Sequence, residues 1–273
     1  MECEKEFLLN YNIDDYERPS VTTDVAAFMI STEEKTNERK APDNKLRLLL
    51  IKRGGHPFKD KWALPGGFLQ KGETVEECAV REIHEETNVI PTALISVGTF
   101  SKPGRDPRGW IISNVYASII TEESVKQIGM DDASDAQWFI INFGKKDDDL
   151  YYLTLEYDDI LLKAVLAREK TKFRRAEFRI IDNGDIAFDH AAVIAESLTV
   201  LRQEAKNYDM IFNFLPEKFT LTALQKVQET IMDMPLLSGN FRRMVSSYVE
   251  ETDEYVKGER YRPAKLYKRK NNI

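Results

Sequence analysis

Cysteine and histidine are scarce in this chain, and that scarcity removes several chemistries before any motif is read. Two cysteines, Cys3 and Cys78, cannot build a disulfide framework, and with three histidines no Cys/His cluster has the spacing of a zinc site. No apolar run approaches the roughly 18 residues of a membrane helix. One of the longest is Val25-Ala26-Ala27-Phe28-Met29-Ile30, and the mean hydropathy is −0.45, so no membrane partner is expected. The acidic start, Met1-Glu2-Cys3-Glu4, leads into no positively flanked apolar stretch, so no secretory leader is read and a reducing cytoplasm is the expected location. Positive charge is not in excess either. With 39 basic against 46 acidic side chains the net charge is −7, which excludes the molecule as a whole as a polyanion binder.

That balance is uneven. Residues 238 to 273 hold nine basic and five acidic side chains, a net of +4, and the first 237 residues carry −11. At 273 residues the chain also exceeds the roughly 100 to 200 of one ordinary domain, so two domains are expected. Their predicted bounds are 1–206, with an insertion at about 147–185, and 207–273.

Short apolar or β-branched runs at Val21 to Ile30, Leu46 to Ile51, Ile95 to Phe100, Ile111 to Ile120 and Gln137 to Ile141 predict core strands. Within the insertion, Tyr151 to Tyr157 and Phe173 to Ile181 look strand-like, and Ile160 to Leu166 is compatible with strand or helix. An amphipathic helix is predicted from Ala191 to about Lys206, and Asn207 to Pro216 reads as the domain connection. His56, His84 and His190 read as capping or surface residues, and Cys78 as a small core residue.

One helix carries the candidate chemistry. Thr74 and Glu77 have capping-box spacing, and Val75, Ala79 and Ile83 recur as a buried face of a helix that runs to about Thr87. Glu82, Glu85 and Glu86 stand at i, i+3 and i+4, on one face and close enough to repel, a repulsion that a divalent cation turns into ligation by hard oxygens. Arg81, four residues after Glu77 and four before Glu85, can brace the cluster. Gly66 and Gly67, lacking a Cβ, let backbone approach the same metal or a phosphate.

The spacing of Gly67, Glu73, Arg81-Glu82-Ile83-His84-Glu85-Glu86 and Val89 resembles the Nudix box, Gly-x5-Glu-x7-Arg-Glu-apolar-x-Glu-Glu-x-Gly-apolar. One position departs: the final Gly is Asn88, at a helix end where a left-handed residue is wanted and Asn is tolerated. The resemblance covers roughly residues 20 to 206 and implies an α/β/α sandwich of the α/β class. It further implies Mg²⁺ or Mn²⁺ polarising a diphosphate for attack by water, with Glu82 and Glu86 as principal ligands and Gly67 against the metal. Glu85 would be a further ligand or orient water, and Glu73 and Arg81 would hold the helix. Which carboxylate is the base stays open.

Pro103, 15 residues past the box in Ser101-Lys102-Pro103-Gly104-Arg105-Asp106-Pro107-Arg108-Gly109, resembles the ADP-ribose subgroup. Arg105 and Arg108 offer forks to phosphate or planes to adenine, with Arg53 a weaker candidate for the same pocket.

Beyond residue 216, Thr222 and Gln225 suggest a capping box, with Leu221, Leu224, Val227 and Ile231 on one face. A second helix near Ser238 is expected to turn Phe241, Met244, Val245 and Tyr248 inward and Asn240, Arg242, Arg243 and Ser246 outward. Tyr255 to Lys268, carrying Lys257, Arg260, Arg262 and Lys265, reads as a basic hairpin turning near Gly258. This order is that of a winged helix docking on duplex DNA; a helical dimerisation cap with a basic tail is the other reading. Together with the box, the junction Asn213 to Leu221 and the end Arg262 to Tyr267 resemble Nudix-related transcriptional regulators of the NrtR type. That resemblance implies a homodimer and an ADP-ribose-like ligand. It leaves two functions open: a hydrolase coupled to DNA binding, or an ADP-ribose sensor regulating NAD metabolism with little turnover.

Overall fold

A computed structural model describes residues 3–33, 43–128, 136–147, 149–170, 177–256 and 263–270. A short helix α1 (Glu4–Asn10) precedes strands β1 (Ser20–Glu33), β2 (Asp43–Lys52), β3 (Trp62–Ala63) and β4 (Gly66–Phe68), then helix α2 (Val75–Thr87). Next come β5 (Ala93–Phe100), β6 (Ile111–Ile119), α3 (Glu122–Ile128), β7 (Ala136–Lys145), β8 (Leu150–Tyr157), β9 (Ile160–Glu169), β10 (Glu177–Asp182) and α4 (His190–Glu204). The chain continues through α5 (Tyr208–Ile211), β11 (Lys218–Phe219), α6 (Leu221–Met232), α7 (Ser238–Val245), β12 (Val249–Val256) and β13 (Ala264–Arg269). Among the described residues no helix is long and apolar enough to cross a membrane.

Ten of these strands form one sheet in the order β10-β9-β8-β7-β2-β1-β6-β5, with β3 against β2 and β4 against β1. β1 and β6 pair in parallel; their neighbours pair antiparallel. Alternation along β1 explains its unbroken apolar run. Ala26, Phe28 and Ile30 enter the core shared with α4, while Val25, Ala27 and Met29 enter the core shared with Ala79 and Ile83 of α2. A strand covered on both faces needs apolar residues at every position. Helices on either side of the sheet make the α/β/α sandwich.

The segment expected as an insertion, about 147–185, holds β8, β9 and β10 among the described residues. They continue the sheet outward from β7 as three antiparallel strands, and the ambiguous run at 160–166 is part of β9. Leu162, Ala164 and Leu166 are buried and Lys163 is exposed between them, the period of two that marks a strand with one covered face. Residues 171–176, which include part of the expected strand from Phe173, lie outside the described residues.

The expected connection at 207–216 is packed into the core. Tyr208, Met210, Ile211, Phe212 and Phe214 are buried and join the α4 core to Leu224, Val227 and Ile231 of α6 and Phe241 and Val245 of α7. Gln228 Nε2 donates to the Ala205 carbonyl at 2.8 Å, and Arg202 Nε to the Ile231 carbonyl at 3.1 Å, tying α4 to α6. The α6 cap is Thr220, whose hydroxyl accepts from the Ala223 amide, and not the expected Thr222–Gln225 box; Gln225 instead donates to Glu229 and to the Leu236 carbonyl. In α7, Phe241 and Val245 are buried as expected, one turn apart. Met244, expected inward, is exposed. The winged unit closes with β11, β13 and β12 in one small antiparallel sheet.

Candidate functional site

The carboxylate helix forms as read. Thr74 accepts from the Glu77 amide at 3.2 Å while the Glu77 carboxylate accepts from the Thr74 amide at 2.7 Å, closing the capping box. At the other end Asn88 takes φ 55° and its amide bonds the His84 carbonyl at 2.7 Å, so the residue that replaces glycine fulfils the left-handed cap. β4 lies antiparallel on β1, Thr23 opposite Gly67 and Asp24 opposite Gly66, and this holds the glycines over the helix. A Cβ on Gly67 would stand 2.1 Å from Glu82 Oε1, and one on Gly66 2.2 Å from the Thr23 carbonyl oxygen. The Glu82 carboxylate thus rests on the Gly67 backbone, an approach closed to any other residue.

Arg81 organises the carboxylates, with one change from expectation. Glu77 is used by the cap, and the fork goes to Glu73: Nη2 donates to Oε1 at 2.9 Å and Nε to Oε2 at 3.1 Å. Nη1 reaches Glu82 at 2.6 Å and Glu85 at 3.3 Å. The Arg81 bonds, with the Gln70 amide behind them, pull the Glu73 pKa down to about 2. Burial pushes that of Glu82 up, with Arg81 partly opposing it. Glu82 is half-buried and Glu85 exposed. Among the described residues no group of three acidic, histidine or cysteine side chains is drawn together as for a metal ion, and Arg81 supplies the cation beside Glu82 and Glu85.

Beside Gly66 and Gly67 opens a cleft of about 130 Å³ lined by Arg53, Phe68, Arg105, Arg108, Phe188 and His190, among others. The expected arginines separate into two roles there. The Arg105 side chain is 5% exposed and held by two carboxylates: Nε and Nη2 fork onto Asp189 at 2.9 and 2.8 Å, and Nη2 also reaches Asp24 at 3.3 Å. Burial lowers its pKa, but Asp189 and then Asp24 outweigh that and leave it raised. Arg108 pairs with Asp106 at 2.7 Å, yet its guanidinium lies over the Phe68 ring at 5.1 Å and the Phe188 ring at 5.5 Å. Arg53 covers Phe188 at 4.8 Å, and burial followed by the charge of Arg108 lowers its pKa. Pro103 is exposed and is not among the residues that line the cleft.

Four residues of this network escape sequence reading. Asp24 on β1 accepts from Ser113 of β6 at 2.6 Å and faces Arg105, and Asp189 stands at the N-cap position of α4 with its carboxylate on Arg105 and not on the helix amides. Phe188, at φ 51°, holds an uncommon backbone conformation for a large side chain. His190, read as a capped or surface residue, is buried and not at the surface: its Nδ1 accepts from the Leu64 amide at 2.9 Å, its Nε2 faces Asp24 at 3.7 Å, and burial lowers its pKa. The one legible signal was Phe188-Asp189-His190 before a helix; their partners lie 80 or more residues away.

On the winged unit, Asn240, Arg242 and Arg243 of α7 and Ser246 at its C-terminal end are exposed. Lys265 is paired with Glu251, and Lys268 with Glu250 at 2.8 Å, so the wing lysines sit in cross-strand ion pairs. Lys257, Arg260 and Arg262 lie outside the described residues.

Comparison with known proteins agrees with this architecture. The NUDIX domain family model matches residues 35–144 and the NrtR DNA-binding winged helix domain model matches residues 211–268. An ADPR responsive transcriptional repressor of Acinetobacter baylyi is 29% identical over 270 residues, 97% of this chain and 88% of that one. An ADP-ribose pyrophosphatase of Methanocaldococcus jannaschii is 50% identical over 100 residues, 37% of this chain and 57% of that one. The crystal structure of a MutT/nudix family protein from Enterococcus faecalis superposes with a TM-score of 0.73 at 30% identity, covering 98% of this chain and 94% of that one. The box, the sandwich and the C-terminal unit together place this chain in the MutT/Nudix family, in the branch that carries an NrtR-type winged helix.

Proposed function

We propose that the chain is a divalent-metal-dependent hydrolase of ADP-ribose or a related nucleoside diphosphate sugar, coupled to a DNA-binding winged helix. The observation that carries the reading is a junction of two surfaces. The cleft of Arg53, Arg108, Phe68 and Phe188 opens beside Gly67, against which the Glu82 carboxylate lies. A nucleoside diphosphate has the two parts such a cleft accepts, phosphates for guanidinium forks and a flat base for ring faces. The relatives named for ADP-ribose support that ligand class.

The donors of α2 fit a hard cation. Burial together with the charges of Glu85 and Glu73 raises the Glu82 pKa, a condition that a bound divalent ion reverses. Glu82 and Glu86, with Glu85 and the Gly67 backbone, would hold Mg²⁺ or Mn²⁺, which supplies Lewis-acid polarisation of the diphosphate and a water nucleophile at neutral pH. Arg53 and Arg108 bind the phosphates and offset the charge that grows on them as the bond breaks. Arg81, locked to Glu73, keeps the helix face in place. Arg105 has its Nε and Nη2 turned to Asp189 and Asp24, so we assign it to holding the loop and α4 against β1, not to the substrate. Incubating the protein with ADP-ribose and Mg²⁺ or Mn²⁺ should release AMP, and Glu82→Gln should lower the rate by about 10²-fold or more. Absence of metal-dependent turnover for every nucleoside diphosphate sugar tried would remove the hydrolase reading.

A sensor with little turnover is the second reading. It is favoured by Arg81's hold on Glu82 and Glu85, and by the repressor that matches along nearly the whole chain. Helix α4 supplies a route in either case: it starts at His190 in the cleft and carries Arg202 in its last turn against α6. Ordinary enzyme efficiency supports the first reading, tight binding with negligible turnover the second. For both we infer a homodimer presenting two α7 helices to half-sites about one helical turn, or a multiple, apart on duplex DNA.

A further inference from the structure

A larger cavity than the α2 cleft lies where the sandwich meets the winged unit. It measures about 350 Å³ and shares no lining residue with the cleft. Leu46 of β2, Phe143 of β7 and Leu198 of α4 give it an apolar wall, and Thr230 of α6 and Asn142 of β7 add polar groups. That volume and mixture suit a small metabolite.

Arg202 enters this crevice from the last turn of α4. Its Nε donates to the Ile231 carbonyl at 3.1 Å and its Nη1 to the Phe143 carbonyl at 3.2 Å. A guanidinium has five N–H groups, so these two bonds leave three. Carbonyls satisfy hydrogen bonds but do not neutralise charge, and among the described residues Arg202 has no carboxylate at ion-pair distance. Asp43, Glu229 and Asp233 line the crevice too, as do Lys45 and Lys226; Asp43 faces Lys45 at 3.4 Å, and Glu229 accepts from Gln225 at 2.9 Å and from the Leu236 amide at 2.8 Å. Asp233 acts on Arg202 only at longer range, and burial prevails, so the guanidinium pKa is lowered. A desolvated cation without a counter-ion is costly, and an anion seated beside it relieves that cost.

We propose that this interdomain crevice is a second small-molecule site, for an anion whose phosphate or carboxylate lies against the remaining N–H groups of Arg202. The same guanidinium links the β7 backbone to the end of α6, so occupancy of the crevice is coupled to the seating of the winged unit on the sheet.

The test uses the full-length chain carrying Arg108→Ala, which removes a phosphate contact of the α2 cleft. Calorimetric titration with inorganic phosphate and, separately, with malonate distinguishes a phosphate ligand from a carboxylate one. Saturable binding at about millimolar affinity or tighter is expected for at least one of them. Adding Arg202→Met should weaken it at least about tenfold, and so should Asn142→Trp, which fills the crevice and leaves Arg202 in place. Circular dichroism identifies a variant that has not folded, and Asn142→Trp keeps the question answerable if Arg202→Met is that variant. Saturation by neither anion, or binding that survives the substitutions, would overturn the proposal. Loss of ADP-ribose turnover or binding would leave these outcomes unchanged, since none of them depends on the cleft.

Discussion

Gly67→Ala gives the most direct reading of the α2 site. The added Cβ would lie 2.1 Å from Glu82 Oε1, 2.5 Å from its Cδ and 2.8 Å from Oε2, all atoms at the far end of one side chain. Real contacts of a Cβ begin at about 3.0 Å, so the carboxylate must retreat by roughly 1 Å while the backbone keeps its path. Two effects compete. Replacing glycine by alanine removes unfolded-state freedom worth about 0.4–1 kcal/mol, which roughly offsets the local strain, so the melting temperature should move little. Misplacing a catalytic ligand by about 1 Å costs on the order of 10²-fold in rate, near 3 kcal/mol of activation free energy. The expected result is a folded protein with Mn²⁺ affinity and AMP release both strongly reduced. Combined with Glu82→Gln, the loss should be far from additive, because both changes remove the same carboxylate. A Gly67→Ala protein with wild-type metal affinity and turnover would refute the argument that Glu82 works from its place on Gly67.

Removing the buried fork should act on stability. Arg105→Met leaves Asp189 and Asp24 without their cation, and we expect a loss of about 3–5 kcal/mol by urea denaturation; a loss below about 1 kcal/mol contradicts the structural role. His190 gives a pH signature. Its folded pKa lies below the ordinary 6.5, so below that pH the unfolded chain binds a proton that the folded chain does not, and stability falls as pH drops from 6.5 toward the folded value. His190→Asn, whose carbonyl can still accept from Leu64, should flatten the decline of melting temperature between about pH 7 and 5; an unchanged slope assigns the acid sensitivity elsewhere. On DNA, Arg243→Ala should lower affinity and reduce the salt slope by about one unit if it meets a phosphate, or relax sequence preference if it meets a base. Lys265→Ala should do less, because Lys265 is already paired with Glu251; equal effects would show that this pair opens on binding.

The sequence by itself determined the local elements. A capping box, a three-residue spacing of carboxylates and a left-handed end act over one or two helical turns, so Thr74, Glu77, Glu82, Glu85, Glu86 and Asn88 made α2 legible without its surroundings. The continuous apolar run of β1 likewise announced a core strand, and Phe241 with Val245 announced the inner face of α7. Tertiary structure decided everything that depends on partners far along the chain. Strand β9 alternates buried Leu162, Ala164 and Leu166 with the exposed Lys163 and half-buried Val165, but only pairing with β8 and β10 makes that run a strand instead of a helix. Arg105 and Arg108 look equivalent in their loop; Asp24, 81 residues before, and Asp189, 84 residues after, bury the first and leave the second to the cleft. His190 follows the same logic, since the Leu64 amide and Asp24 reach it across the fold. Charge and hydrogen bonding act through space, and a chain brings together groups that its linear order keeps apart.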